Sequence, residues 1–208
     1  MIRIITVERE YGAGGNAIAT ALANRLGWTL WDQRLTDEIA SRMGSDRREV
    51  EAREERCDPT FYRLLKAFMK GSFEGSLNAP RLGILDTDHV QEVVRAIQTE
   101  IANAGDSVIV GRGAAYFLGN RRDAFHVFIY APFERKVRRL RSLGKSDEEA
   151  RLLAETVDRD RAVFIKRYFN VEWPERHQFH LMINSSIGDD IAVETITDAV
   201  KRCNEKHK

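Results

Sequence analysis

The chain has 208 residues with nearly balanced charge, 33 lysines and arginines against 32 aspartates and glutamates, and 43% of its residues are hydrophobic. This composition predicts one globular domain with a buried core and excludes a long disordered or fibrous chain. A net charge of +1 gives no basic field for nucleic acid or a membrane surface, and no apolar stretch approaches the roughly 20 residues that cross a bilayer.

Short apolar segments alternate along the chain with amphipathic helical patterns, which is typical of a parallel α/β sheet. The apolar segments predict strands at residues 2–7, 29–31, 107–110, 126–130 and 179–183. Helical periodicity predicts helices over residues 15–26, 32–43, 87–104, 131–143, 146–169 and 189–202. We therefore expect a single domain over residues 1–208, with the helices flanking the strands.

The pattern is weak in the middle of the chain and basic in one of the later helices. Between residues 45 and 85 the periodicity weakens, and we interpret residues 45–104 as a helical insertion that ends in the helix at 87–104. The helix at 131–143 is predicted to carry a basic exposed face formed by Arg135, Lys136, Arg138, Arg139 and Arg141. Ser146 and Glu149 form a capping box that predicts the start of the next helix.

The first strand leads into a glycine-rich turn that predicts an anion site, with Gly12, Ala13, Gly14, Gly15 and Asn16 as the cradle. Glycines allow positive φ angles that direct several backbone N–H groups at one anion, and the following helix N-terminus adds a favourable dipole. The P-loop pattern is Gly-x-x-x-x-Gly-Lys-Ser/Thr. Its four defined positions are occupied here by Arg9, Gly14, Gly15 and Asn16, so the lysine and the hydroxyl residue are both missing. Since no lysine precedes Lys66, we expect Arg9 to supply the missing positive charge. The alternative is that these glycines serve only packing.

Five separated motifs are similar, in the same order, to those of the cytidylate kinase-like family. They are Arg-Glu-Tyr-Gly-Ala-Gly-Gly from Arg9, Trp31-Asp32, Val110-Gly111-Arg112-Gly113, Phe128-Ile129-Tyr130-Ala131-Pro132 and Ile183-Asn184-Ser185-Ser186. The resemblance covers almost the whole chain outside residues 45–85. It implies a nucleoside monophosphate kinase fold, with a five-stranded parallel P-loop NTPase-type sheet, a helical monophosphate-binding insertion, and a lid at about residues 144–175.

The resemblance also implies roles for individual residues. Arg112 aligns with the arginine that holds the substrate phosphate in cytidylate kinases, although Gly113 replaces the aspartate that follows it in the family, and Asp32 aligns with an aspartate near the nucleoside monophosphate. Arginines of the lid segment are expected to reach the transferring phosphoryl group or the substrate; these are Arg159, Arg161 and Arg167. The alternatives are a surface arginine in a turn, a helix N-cap for Asp32, and a solvated helix face.

These implications lead to a specific functional hypothesis. We expect a phosphotransferase that uses ATP and Mg²⁺ and acts on a nucleoside monophosphate such as CMP or dCMP, with the magnesium held mainly by phosphates and water. A non-catalytic nucleotide-binding module and a kinase of a non-nucleotide acceptor remain open. The scattered histidines predict no zinc site, and the isolated cysteines, Cys57 and Cys203, favour a cytoplasmic protein.

Overall fold

A computed structural model describes residues 1–45 and 87–206 of the chain. Residues 46–86, which hold most of the predicted helical insertion, lie outside the described residues. The last part of that insertion is a helix over Thr87–Ala104, at the bounds predicted from the sequence.

Five parallel strands form one sheet in the order β2-β3-β1-β4-β5. The strands are β1 (Ile4–Arg9), β2 (Thr29–Trp31), β3 (Ser107–Val110), β4 (Ala124–Tyr130) and β5 (Leu181–Asn184). All five predicted strands are confirmed, and each boundary lies within two residues of its prediction. The central strand β1 is buried along its whole length, as expected for a parallel sheet that helices cover on both faces.

The helices confirm the predicted periodicity and add one short element. They are α1 (Gly15–Leu26), α2 (Gln33–Ser45), α3 (Thr87–Ala104), α4 (Ala114–Phe117), α5 (Phe133–Ser142), α6 (Asp147–Phe169) and α7 (Asp189–Glu205). The single turn α4 was not predicted from the sequence. The capping interaction at Ser146 is confirmed, because the Glu149 N–H donates to the Ser146 hydroxyl over 3.1 Å.

Helices cover both faces of the sheet. One buried cluster joins the sheet to α1 and α7 through Ile5, Val7, Val108, Val127, Ile18, Leu22, Ile196 and Val200. A second cluster joins the other face to α2, α3 and α6 through Ile4, Ile109, Leu35, Ile39, Ile97, Ile101 and Phe164. The carboxyl ends of the strands therefore meet at one edge, where α/β proteins commonly bind ligands.

The two helices after β4 differ in part from the sequence expectation. The prediction of an exposed basic face on α5 is wrong for Lys136, which is buried because two carboxylates compensate its charge. Helix α6 buries Val157, Arg161 and Phe164 against the body of the protein, so the lid expected at about residues 144–175 stays a prediction. Within residues 1–45 and 87–206, no helix is long and apolar enough to cross a membrane.

Candidate functional site

The turn between β1 and α1 lies at the carboxyl edge of the sheet beside its central strand. It is tight, since the Glu10 N–H donates to the Ile129 carbonyl over 2.9 Å and the Ala13 N–H donates to the Glu10 carbonyl over 3.3 Å. Gly12 and Gly14 have φ angles of +81° and +83°, which favour glycine. Gly14 directly precedes α1, whose first N–H groups have no intrahelical acceptors, so this turn has the geometry of an anion site.

Helix α5 places an arginine against this turn. A Cβ atom at Gly14 would overlap the guanidinium of Arg139, so the cation lies beside the N-terminus of α1. The Arg139 guanidinium also donates to the Asp189 carboxylate at the start of α7 over 2.6 Å. A cation next to the positive end of a helix dipole is unfavourable alone and becomes favourable when an anion lies between them.

Sequence reasoning missed Arg139 as a site residue. It lies three residues after Lys136, so both side chains are on the same side of α5, and a Cβ atom at Gly12 would lie 3.1 Å from the Lys136 Cβ. The signal in the sequence was this spacing immediately after a core strand. The helical pattern alone places both side chains on the exposed face.

The Asp158 carboxylate of α6 connects three parts of the site. Its Oδ1 accepts from the Tyr11 N–H over 2.8 Å, and its Oδ2 accepts from the Lys136 ammonium over 3.0 Å. The same ammonium lies 3.2 Å from Glu10 Oε2, which also accepts from the Ala131 N–H over 3.3 Å. Burial lowers the pKa of Lys136, but the two carboxylates outweigh this effect and raise the pKa above its ordinary value.

Arg161, a predicted catalytic residue, lies at the start of the glycine turn. Its Nη1 donates to the Arg9 carbonyl over 3.0 Å and lies 3.3 Å from Asp158 Oδ1. Burial, followed by the nearby Arg9 charge, lowers its pKa to about 10, so the side chain remains a cation at neutral pH. The other two predicted arginines of this segment, Arg159 and Arg167, are exposed on α6, and their roles stay predictions.

Arg9 is buried, with its side chain passing beneath the turn. A Cβ atom at Gly15 would lie 2.7 Å from the Arg9 Cβ and Cγ, and one at Gly111 would overlap the Arg9 Nη1. The guanidinium thus extends toward the turn after β3, whereas Arg139 lies at the glycine turn itself. A catalytic role for Arg9 remains a prediction. Its side chain lies between the end of β1 and the turn after β3.

Arg112 follows β3 and is completely buried in an αL conformation, with φ of +52°. Its Nη1 donates to Asp32 Oδ1 over 2.8 Å and to the Val110 carbonyl over 3.0 Å, while Nη2 donates to the Thr36 hydroxyl. The Gln98 amide donates to the Arg112 carbonyl over 3.0 Å. In this conformation the guanidinium binds protein groups, so phosphate binding by Arg112 and Asp32 stays a prediction.

A carboxyl group lies among these arginines. Burial raises the pKa of Glu8, at the end of β1, against the opposing effects of Arg9, Arg161, Arg112 and the Gly113 N–H. One of its oxygens, Oε1, has no hydrogen-bond partner in the part of the chain that the structure describes. The end of the central strand therefore combines three guanidinium groups with one carboxyl group in a buried setting.

Comparisons with known proteins agree with this architecture. The sequence profile described as "Cytidylate kinase-like family" matches residues 4–187. No curated protein is similar enough to the sequence to match it.

Solved structures resemble the fold at low sequence identity. An uncharacterized protein from Eubacterium ventriosum is 20% identical, with a TM-score of 0.68 over 97% of this chain and 99% of that chain. Shikimate kinase from Bacteroides thetaiotaomicron is 17% identical, with a TM-score of 0.55 over 97% and 99% of the two chains. Shikimate kinase from Aquifex aeolicus is 14% identical, with a TM-score of 0.51 over 95% and 96%. The predicted P-loop kinase fold is thereby confirmed.

Proposed function

The chain belongs to the cytidylate kinase-like family, and we propose that it is an ATP- and Mg²⁺-dependent phosphotransferase whose acceptor is a nucleoside monophosphate, with CMP or dCMP as the first candidates. The observation that carries this proposal is the Arg139 guanidinium against Gly14 at the N-terminus of α1. This arrangement supplies, at one place, a cation and the first N–H groups of α1, which have no intrahelical acceptors, as a bound triphosphate requires.

The groups at the glycine turn bind the phosphoryl donor. The backbone of Gly12 to Asn16 and the start of α1 bind the phosphates of ATP, and Arg139 supplies the charge that the P-loop lysine supplies in the usual pattern. Arginine suits this position because its planar guanidinium can donate two parallel hydrogen bonds to phosphate oxygens. Asp189 orients the guanidinium before the donor arrives.

The acceptor half lies at the end of β1, beside the arginine cluster. An acceptor phosphate oxygen attacks the γ-phosphorus, the bond from the γ-phosphorus to the β,γ-bridging oxygen breaks, and ADP leaves. Arg9 and Arg161, which lie near Glu8, are suited to stabilise negative charge on the transferring group. The buried setting strengthens this electrostatic effect.

The residues present are compatible with a magnesium ion held chiefly by the triphosphate and water. Over the described ranges there is no group of three or more histidines, cysteines, aspartates and glutamates that could hold a metal ion. Asn16, in the first turn of α1, offers a side-chain oxygen of the kind that Mg²⁺ accepts. A bound magnesium ion would neutralise charge on the β- and γ-phosphates.

The turnover experiment measures ADP release from ATP and Mg²⁺ with CMP, dCMP, UMP, AMP or GMP, and with shikimate as a non-nucleotide acceptor. Gly14→Ala should lower kcat/KM about 10-fold or more, because the added methyl group displaces Arg139 and narrows the phosphate cradle. Gly27→Ala is the matched control: Gly27 ends the same helix with φ of +68°, and a Cβ atom there would meet nothing within 4 Å.

A second candidate is a nucleotide-binding module without turnover. It is favoured by the engagement of Arg112 with Asp32 and Thr36, which directs both Nη atoms of its guanidinium at protein groups. If ATP raises the melting temperature but no ADP forms with any acceptor, the result would support this module and contradict the enzyme. Release with shikimate alone would assign a non-nucleotide acceptor.

A further inference from the structure

Helix α6 binds the backbone of the glycine turn on both sides of Glu10. The Tyr11 N–H donates to Asp158 Oδ1 over 2.8 Å, and the Arg9 carbonyl accepts from Arg161 Nη1 over 3.0 Å. The side chains of Asp158 and Arg161 are 13% and 5% exposed, so both bonds are shielded from water. The conformation of the turn therefore depends on two residues that lie about 150 positions later in the chain.

The charge of Asp158 opposes the binding of an anion nearby. A carboxylate beside a triphosphate site lowers the affinity through Coulomb repulsion, more strongly where water is excluded. Lys136, 3.0 Å from Asp158 Oδ2, and Arg161 compensate part of this charge. The Asp158 carboxylate therefore has two roles in the structure: it compensates the charges of Lys136 and Arg161, and it accepts the hydrogen bond of the Tyr11 N–H.

We infer that Asp158 is a positioning residue for the donor site. Its hydrogen bond holds the Tyr11 amide in place. The backbone that continues into Gly12 and Gly14 is thereby kept in the conformation that binds the triphosphate. This inference rests on the proposed function, because it assigns the turn to the donor phosphates. It makes α6 a determinant of ATP affinity without contact between Asp158 and ATP.

Two substitutions of Asp158 separate the positioning role from the charge. Asp158→Ala removes the acceptor of the Tyr11 N–H and should weaken ATP binding about 10-fold, the scale of a hydrogen bond to a charged group. Asp158→Asn keeps an acceptor for Tyr11 but removes the negative charge, so its affinity should equal or exceed that of the wild type. A residue acting only through charge would tighten binding in both variants.

The control is Glu155→Ala, which removes an exposed carboxylate three residues earlier on the same helix. The measurements are the dissociation constant of ATP by calorimetry and the hydrogen exchange of backbone amides. We expect faster exchange at Tyr11 in Asp158→Ala, with exchange on the central strands unchanged. A general loss of stability would instead accelerate exchange throughout the sheet.

The outcomes distinguish this inference from the proposed function. If the wild type binds no ATP, the proposed function and the role of Asp158 both fail. If the wild type binds ATP and Asp158→Ala behaves like Glu155→Ala, only the inference is overturned. The inference is also overturned if Asp158→Asn loses as much ATP affinity as Asp158→Ala.

Discussion

Arg112 is the residue whose surroundings differ most from the expectation for a substrate contact. Its side chain is 0% exposed and its ion pair with Asp32, itself 8% exposed, connects the turn after β3 to the start of α2. Gln98 of α3 donates a hydrogen bond to the Arg112 carbonyl, so α3 is connected to the same residue. Such a residue stabilises the relative positions of three elements on the β2–β3 side of the sheet.

Replacing Arg112 with alanine should lower the free energy of unfolding by about 3–5 kcal/mol, because the buried Asp32 carboxylate loses its cation. Denaturant unfolding of the variant and the wild type measures this difference. Arg122→Ala is the control, since Arg122 is exposed, and it should change stability by less than about 0.5 kcal/mol. Unchanged stability of Arg112→Ala, together with a raised KM for the acceptor, would contradict a structural role.

At the scale of elements, a buried histidine connects β4 to β1 and to the residue that precedes β5. His126 of β4 shares a 2.7 Å hydrogen bond between its Nδ1 and the Thr6 hydroxyl of β1, and its backbone N–H donates to His180 Nδ1 over 2.9 Å. The two imidazole rings stack with their centroids 5.1 Å apart. Burial, followed by the nearby His180, lowers the pKa of His126 from 6.5 to about 4.

This lowered pKa predicts a defined loss of stability in acid. The folded state favours neutral His126, so its contribution is fully present above pH 6.5 and is lost as the pH falls from 6.5 toward 4. The loss should reach up to about 3 kcal/mol, following the size of the pKa shift. Urea unfolding at pH 7 and pH 4 measures it.

His126→Gln provides the comparison, because glutamine keeps a hydrogen-bonding group near Thr6 but does not titrate in this range. Its stability should fall less between pH 7 and pH 4 than that of the wild type. Equal losses in the two proteins would show that groups other than His126 cause the acid sensitivity.

Helix α5 shows where reasoning from periodicity reaches its limit. The pattern correctly predicts the helix and its position after β4, since apolar residues and the preceding proline determine both. It cannot assign Lys136 to the interior, because that depends on Asp158, 22 residues away, and on Glu10, which follows the adjacent strand β1. A basic side chain is buried only when distant partners compensate its charge.

At the scale of the whole molecule, the sheet and six of the seven described helices could be predicted, because each depends on local periodicity and turn residues. The glycine turn could also be located, since its geometry requires glycine at Gly12 and Gly14. The position of Arg139 at that turn could not be predicted. Arg9 is adjacent in sequence, whereas Arg139 reaches the turn only through the packing of α5.

Calorimetric titration with ATP and Mg²⁺ tests whether the glycine turn and Arg139 form the proposed donor triphosphate site. Arg139→Ala should weaken ATP binding about 10- to 100-fold, as expected for the loss of a charged hydrogen-bonding group. Arg138→Ala, which removes an exposed neighbouring arginine, should bind ATP like the wild type. Equal affinities of the two variants, or no binding by the wild type, would contradict this assignment of the donor site.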